Sequence, residues 1–489
     1  MSAKPDVLAT EFLKDAAPPP AAPGRPLWQR ALETLQVPVL ALFTALLVGG
    51  LIIMATDLTV LADLRNIIGR LAPGGYQRLA IAAVVAIAAA LAFVFAERWL
   101  KRLVAAPSER LVTLTKYGVA LVGLVIVILI VRASGFAPVM DAAVNAVKVA
   151  YGAMLEGSLG SLATIAAALQ SGDRTAILAA FAPVLESLVS ATPYIFAGLA
   201  VAVGFRCGLF NIGAEGQLFM GAIFSVFVGY SLQGVPAIIH IPLALGAGAL
   251  GGALWALPPA ILKAKVGAHE VINTIMMNYI AFRLAEWLLN GPMMRPGTSN
   301  PVTPRILPTA ELPRFFPDPI RFHLGFFIAL GVAAFIWWFL FRTTLGFELR
   351  TVGANPNAAR YAGMSITRNY IIALCLSGAL AGLAGANEVL GVNHNLANAF
   401  SSGYGFDSIA LALLGKSHPA GVVLAALLFG TLRSGGTRMQ NIAKIPLDII
   451  GVVQALVIAF VAAPTIIRAI YRIRAPKAGE TVFTRGWGK

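Results

Sequence analysis

The sequence is short of charge and of cysteine. Only 12% of its 489 residues are Asp, Glu, Lys or Arg, about half the share a water-solvated globular chain carries. The two cysteines, Cys207 and Cys375, stand far apart, which excludes a disulfide framework and a paired-thiolate metal site. Five scattered histidines in no HExxH spacing add no metal motif. Nucleophile, base and orienting acid do not occur in any catalytic pattern, so the residues give no ground for an enzyme.

Long apolar runs fill the space that charge leaves. Hydrophobic residues make up 58% of the chain, and the mean hydropathy is +0.80. A crossing of a hydrocarbon core about 30 Å thick takes about 20 apolar residues at 1.5 Å rise each. Candidate spans are 37–55, 79–96, 117–132, 185–204, 215–232, 241–262, 271–289, 322–341, 370–391 and 447–466. A broken region at 405–434, interrupted by "GKSHPAG", reads as two half-helices, a re-entrant pair or two tilted spans. The fold class is therefore all-α, a polytopic membrane bundle of 10 to 12 spans.

The formal charge of +15 sits in short basic clusters between the apolar runs, the pattern of membrane orientation rather than of nucleic-acid binding. Segment 97–116 carries Arg98, Lys101, Arg102, Arg110 and Lys116, and the C-terminal tail 471–489 is basic as well. Both read as cytoplasmic, with the loop 342–369 joining them by parity and the proline-rich 291–321 placed outside. Arg433, Arg438 and Lys444 fall outside on the same count, against the rule. Residues 1–36 read as a disordered cytoplasmic tail without signal-peptide architecture, 37–470 as the membrane domain, and 79–132 as two apolar segments flanking a basic turn.

Two nucleotide-site patterns fail on context. "GAGALG" at 246–251 lies inside an apolar run with no preceding strand, so its small residues serve close helix approach. "ALALLGKS" at 410–417 has Ala410 where a phosphate loop needs glycine, and a helical Leu411 to Leu414 interior.

Within 342–369, Asn355 suits an N-cap, Pro356 the first helical position and Gly363 a C-terminal stop. So short a helix is not stable alone in water. It reads either as a turn helix packed on its own bundle or as a knob for a partner, with Arg360 and Tyr361 as contact residues.

Five blocks in order carry a resemblance: "GLFNIGAEGQ" at 208–217, "GAHEVINTIMMNYIA" at 267–281, "LRTVGANPNAARYAGM" at 349–364, "SGALAGLAGANEVLG" at 377–391 and "GYGFDSIALALLG" at 403–415. The chain resembles the permease subunits of ABC importers for nucleosides and simple sugars, related more distantly to branched-chain amino acid permeases. That resemblance implies a type II importer-like permease in a bacterial inner membrane, with both termini cytoplasmic. Its implied partners are a second permease subunit, a cytosolic ATPase dimer and an external substrate-binding lipoprotein, with no nucleic acid. ATP and Mg would bind on the ATPase, and this chain would hold no cofactor or metal. The loop would supply the coupling helix, with Gly353, Asn355, Ala359, Arg360, Tyr361 and Gly363 as the coupling positions. The hairpin 79–132 departs from the family's usual N-terminal arrangement.

Carboxylates inside a span are expensive and must face protein or a water-filled path. The candidate pathway or gate set is Asn211, Glu215, Gln217, Asn273, Asn278, Asn387, Glu388 and Asn393. Interhelical hydrogen bonding and a solute pathway both remain open for it. Asn273 and Asn278, five apart, do not share one narrow face. Glu215 and Gln217 are expected at a cytoplasmic turn, in the first turn of a helix, where a carboxylate complements the helix end. Nucleoside import is the leading reading; a simple-sugar permease, or a secondary transporter with Glu215 or Glu388 as proton carrier, is the alternative.

Overall fold

The computed structural model describes residues 27–65, 75–103, 109–398, 400–444 and 447–471. Apolar length makes the helices. The N-terminal part runs through α1 (Leu27–Thr56), the short α2 (Leu58–Arg65), α3 (Gly75–Leu103), α4 (Glu109–Val131), α5 (Ala137–Leu159) and α6 (Leu162–Ser171). Next come α7 (Arg174–Arg206), α8 (Ala214–Ser231), α9 (Ala237–Ile261) and α10 (Glu270–Leu289). Beyond an irregular segment follow α11 (Gly325–Arg342), α12 (Thr344–Ala354), α13 (Pro356–Tyr361) and α14 (Ile366–Asn387). The chain closes with α15 (Tyr404–Leu414), α16 (Pro419–Ala443), α17 (Leu447–Ala462) and α18 (Pro464–Ile470).

Among the described residues, two isolated bridges, Val302 with Ala397 and Arg314 with His323, are the only β pairing. Eight helical stretches among the described residues are long and apolar enough to cross a membrane, one of them, 115–171, running through α4, α5 and α6, against the 10 to 12 spans expected. The difference has a physical cause. α8 and α10 have the length but carry Glu215, Gln217, Asn273 and Asn278, and α17 has 16 residues.

The core is built on α7, whose segment Thr192 to Gly204 is buried throughout. α8, α9 and α14 pack together beside it, and α9 meets α14 through glycine. A Cβ at Gly252 would run into the Gly378 carbonyl and the Gly382 backbone, so "GAGALG" and its neighbours are contact surface inside a helix. α15 and α16 close the other side of α7.

α5 and α6 were not anticipated, because Asp141, Lys148 and Glu156 interrupt the apolar pattern of 137–159. α5 packs on α16, α1 on α17, and α3 and α4 chiefly on each other. α1 begins at Leu27, inside the stretch read as a tail, while 1–26 and 472–489 lie outside the described residues. The broken region resolves into the 11-residue α15 and the 25-residue α16. Arg433 and Arg438, expected in an outer loop, lie within α16, and Arg438 pairs with Glu156 at 3.4 Å.

Loops gather at two ends. At one, Gly208 abuts Gly353, and Arg206 donates to the Ser417 carbonyl; this is the end where coupling is expected. At the other, Thr303 pairs with Leu396, Ile306 with His394, and Leu312 with Leu390. There 290–324 forms a cap over the bundle, irregular save for one turn at Pro308–Ala310.

Candidate functional site

At the coupling end the Asn355 side chain caps α13, accepting from the amides of Asn357 at 3.0 Å and Ala358 at 3.1 Å. Pro356 opens the helix and Gly363, at φ 81°, stops it. One face is seated: Ala359 is fully buried in a cluster with Leu349, Val352, Cys207, Leu209 and Leu374. The other face is open, with Arg360 exposed and Tyr361 98% exposed. The six positions expected to couple thus divide by surroundings. Arg360 and Tyr361 point outward, Ala359 anchors, Asn355 and Gly363 set the ends, and Gly353 packs its backbone on Arg206 and Cys207.

Beneath this helix lies a lattice of amides. Asn211 donates through Nδ2 to Gln217 Oε1 and to Ser377 Oγ, both at 2.8 Å, and Ser377 donates on to the Ala200 carbonyl. Ala200 is six residues from the end of α7, about 9 Å along its axis. Segment 207–213 therefore turns back into the bundle, and α8 starts inside it. Glu215 stands in the first turn of α8, after the turn that follows α7, and that turn is drawn into the bundle rather than held at its surface. Its carboxylate accepts from Ser401 Oγ and from the Gly405 amide, in the first turn of α15. Two helix N-termini thus converge on one acid, which offsets the cost of its burial.

Asn278 completes the lattice. It accepts from the Gly216 amide at 2.8 Å and donates to the Ile212 carbonyl at 2.9 Å. Asn273, five residues away, takes no part in that lattice; it is half-buried, and its Nδ2 is buried without a hydrogen-bond partner. Asn387 and Glu388 are brought together at the far end of α14, where a π-type turn runs from 388 to 393, a feature frequent at functional sites. Asn393 is exposed beside them.

A second constellation escaped the sequence reading. Tyr194 donates to Asp407 Oδ2 at 2.9 Å and accepts from Arg433 Nη1 at 3.1 Å. The Arg433 guanidinium lies 4.8 Å from the centre of the Tyr404 ring, itself edge-on to Tyr194 at 4.9 Å. An arginine ten residues inside the end of α16, held by a tyrosine hydroxyl and lying over an aromatic ring, signals a polar interior. The clue was present in "GYGFDS" at 403–408, whose Tyr404 and Asp407 stand in an otherwise apolar stretch.

A bundle of membrane-crossing helices with charged and amide side chains inside, and a seated, outward-facing helix at one end, defines a transport permease. The family described as "Branched-chain amino acid transport system / permease component" matches residues 184–462, more than half of the chain. The chain belongs to that family, a transport component rather than an enzyme. The guanosine ABC transporter permease protein NupP of Bacillus subtilis is 45% identical over 291 residues, covering 58% of this chain and 82% of that protein. The glucose ABC transporter permease protein TsgB13 of Haloferax volcanii is 39% identical, covering 56% and 74%. The nucleoside ABC transporter permease protein NupB of Lactococcus lactis is 35% identical, covering 62% and 85%. No solved structure matches. The helices α1 to α6 precede the family match.

Proposed function

We propose that this chain is the membrane-spanning subunit of an ATP-driven importer that carries a nucleoside across a bacterial inner membrane. It works beside a second permease subunit, an ATPase dimer that binds ATP and Mg, and an external receptor lipoprotein, and it holds no cofactor itself. The coupling end faces the cytoplasm, as its arginines favour, and the cap at 290–324 faces the receptor. Both termini are cytoplasmic.

One observation carries this reading: α13 is anchored on one face by Ala359 and offers Arg360 and Tyr361 on the other. A helix this short, rigidly footed and open, fits a groove in a partner. Its motion has a path inward. Gly353 presses on the Arg206 to Gly208 backbone, Asn211 ties that turn to α7 and α14, and Glu215 ties α8 to α15. Asn211, Glu215, Gln217 and Asn278 form the gate at this end, and Asn387, Glu388 and Asn393 line the approach from the cap.

Similarity to the guanosine permease favours a nucleoside, and similarity to the glucose permease keeps a simple sugar as the second reading. Reconstitution with the ATPase and receptor tests both. ATP-dependent uptake of labelled guanosine supports the first, uptake of glucose alone the second, and uptake of neither rejects both.

A further inference from the structure

The polar residues of the interior separate by whether the protein already satisfies them. Asn211, Glu215, Gln217 and Asn278 spend their side chains on one another, on Ser377 and Ser401, and on backbone groups. Their hydrogen bonds hold the bundle. At the opposite end of α14 the balance reverses. Asn387 is 1% exposed, yet neither atom of its amide has a hydrogen-bond partner. Glu388 is 5% exposed, and its carboxylate makes no hydrogen bond or ion pair among the described residues.

The surroundings of Glu388 are directional. Arg321, paired with Glu186 at 2.7 Å under the cap, and Arg433, deeper in the bundle, both act on its charge from a distance. Tyr404, whose ring lies under the Arg433 guanidinium, is also within its electrostatic reach. A buried carboxylate with countercharge nearby but no donor on it is an acceptor held for something else. The helix is irregular at that point, which frees backbone as well.

We propose that Glu388, supported by Asn387 and the Tyr404 ring, is the solute-recognition point on the cap side, and that its carboxylate accepts two hydrogen bonds from the vicinal hydroxyls of a furanose or pyranose ring. Two oxygens of one carboxylate match two adjacent hydroxyl donors. The Tyr404 ring offers an apolar edge to the rest of the solute. The chemistry is common to ribonucleosides and sugars, so Glu388 recognises the diol, and the remainder of the solute is selected elsewhere. This inference rests on the importer reading above.

The test compares solutes that differ only in the diol. The complete importer, with ATPase and receptor, is reconstituted in proteoliposomes, and uptake of guanosine is measured against 2′,3′-dideoxyguanosine, with glucose against its 3-deoxy form, which loses both the 2,3 and the 3,4 hydroxyl pairs, as the sugar arm. In Glu388→Gln the ratio of diol to deoxy uptake falls about tenfold, the effect of losing one charge-assisted hydrogen bond; Glu388→Asp, which keeps the charge, restores part of it. A ratio, unlike a rate, is insensitive to how much complex assembles. A fall in the guanosine arm assigns the nucleoside, and a fall in the glucose arm alone assigns the sugar. An unchanged ratio in both arms overturns the proposal. A wild-type complex that takes up neither solute defeats the importer reading instead.

Discussion

The carboxylate of Glu215, in the first turn of α8, accepts the backbone amide of Gly405, in the first turn of α15, at 2.6 Å. Ser401 donates to its other oxygen. One side chain therefore joins the starts of two helices inside the bundle. Glu215→Ala leaves the Gly405 amide and the Ser401 hydroxyl unsatisfied and costs about 2 to 4 kcal/mol. Glu215→Gln keeps one acceptor and loses less. Thermal unfolding of purified protein in detergent measures both, and an alanine variant as stable as the parent removes Glu215 from this structural role.

The glycine seam between α9 and α14 gives a paired prediction. A Cβ at Gly252 meets the backbone of Gly378 and Gly382, whereas one at Gly246 meets nothing within 4 Å. Gly252→Ala lowers stability by about 1 to 3 kcal/mol, and Gly246→Ala is neutral or slightly stabilising, since alanine is the better helix former. Equal melting temperatures for the two variants contradict the close packing of α9 on α14.

How much of this was visible in the sequence depended on which signal had to be read. Apolar length marked most of the spans, and Asn355, Pro356 and Gly363 marked α13 from local chemistry alone. The α5 helix was hidden by Asp141, Lys148 and Glu156, which hydropathy counts as loop but which stand along a helix packed on α16. The inward turn of 207–213 was equally hidden, because its burial depends on Ser377, 166 residues from Asn211. Arg433 fell outside on the charge count because Tyr194, which its guanidinium meets, is 239 positions away in sequence, and Asp407, which the same tyrosine meets, stands on α15; only packing brings the three together. Composition locates charge; it does not pair it.

Arg433 provides a direct check of that pairing. Arg433→Gln removes the guanidinium from the Tyr194 hydroxyl and the Tyr404 ring and leaves Tyr194 with Asp407 alone, a loss of about 1 to 3 kcal/mol. Asp407→Asn in the same chain relieves part of it. Additive losses in a double-mutant cycle on the two residues contradict the coupling.

The cap carries a pH dependence. Burial, helped by the charges of Arg314, His394 and Arg321, pushes the His323 pKa down from 6.5 to about 4. Burial lowers His394 too, against the opposing pull of Glu311. Below the ordinary histidine pKa the unfolded chain takes up the proton and the folded one does not, so stability is full above about pH 6.5 and declines as pH falls toward 4. At about 1.4 kcal/mol per unit, His323 alone accounts for about 2 kcal/mol lost between pH 6.5 and 5. Melting curves across that range show the slope, and His323→Asn, which keeps an acceptor for the Gly325 amide, flattens it. A slope unaffected by that change assigns the dependence to other groups.

Arg360 and Tyr361 test the coupling end without touching the core. Arg360→Ala with Tyr361→Ala leaves the seated face of α13 intact, so folding is retained, while uptake falls at least tenfold as the contact with the ATPase is lost. Asn355→Ala acts differently: loss of the cap costs about 1 kcal/mol of local stability and weakens uptake less. Size-exclusion profiles and uptake on the same preparations separate the two effects.

Proteoliposomes containing this chain, with its second permease subunit, ATPase and receptor, decide the central question when labelled guanosine uptake is driven alternately by ATP and by a proton gradient. ATP-dependent accumulation that disappears when the ATPase is omitted is the expected result. Accumulation that persists without the ATPase and follows the proton gradient contradicts it, and makes the chain a secondary transporter.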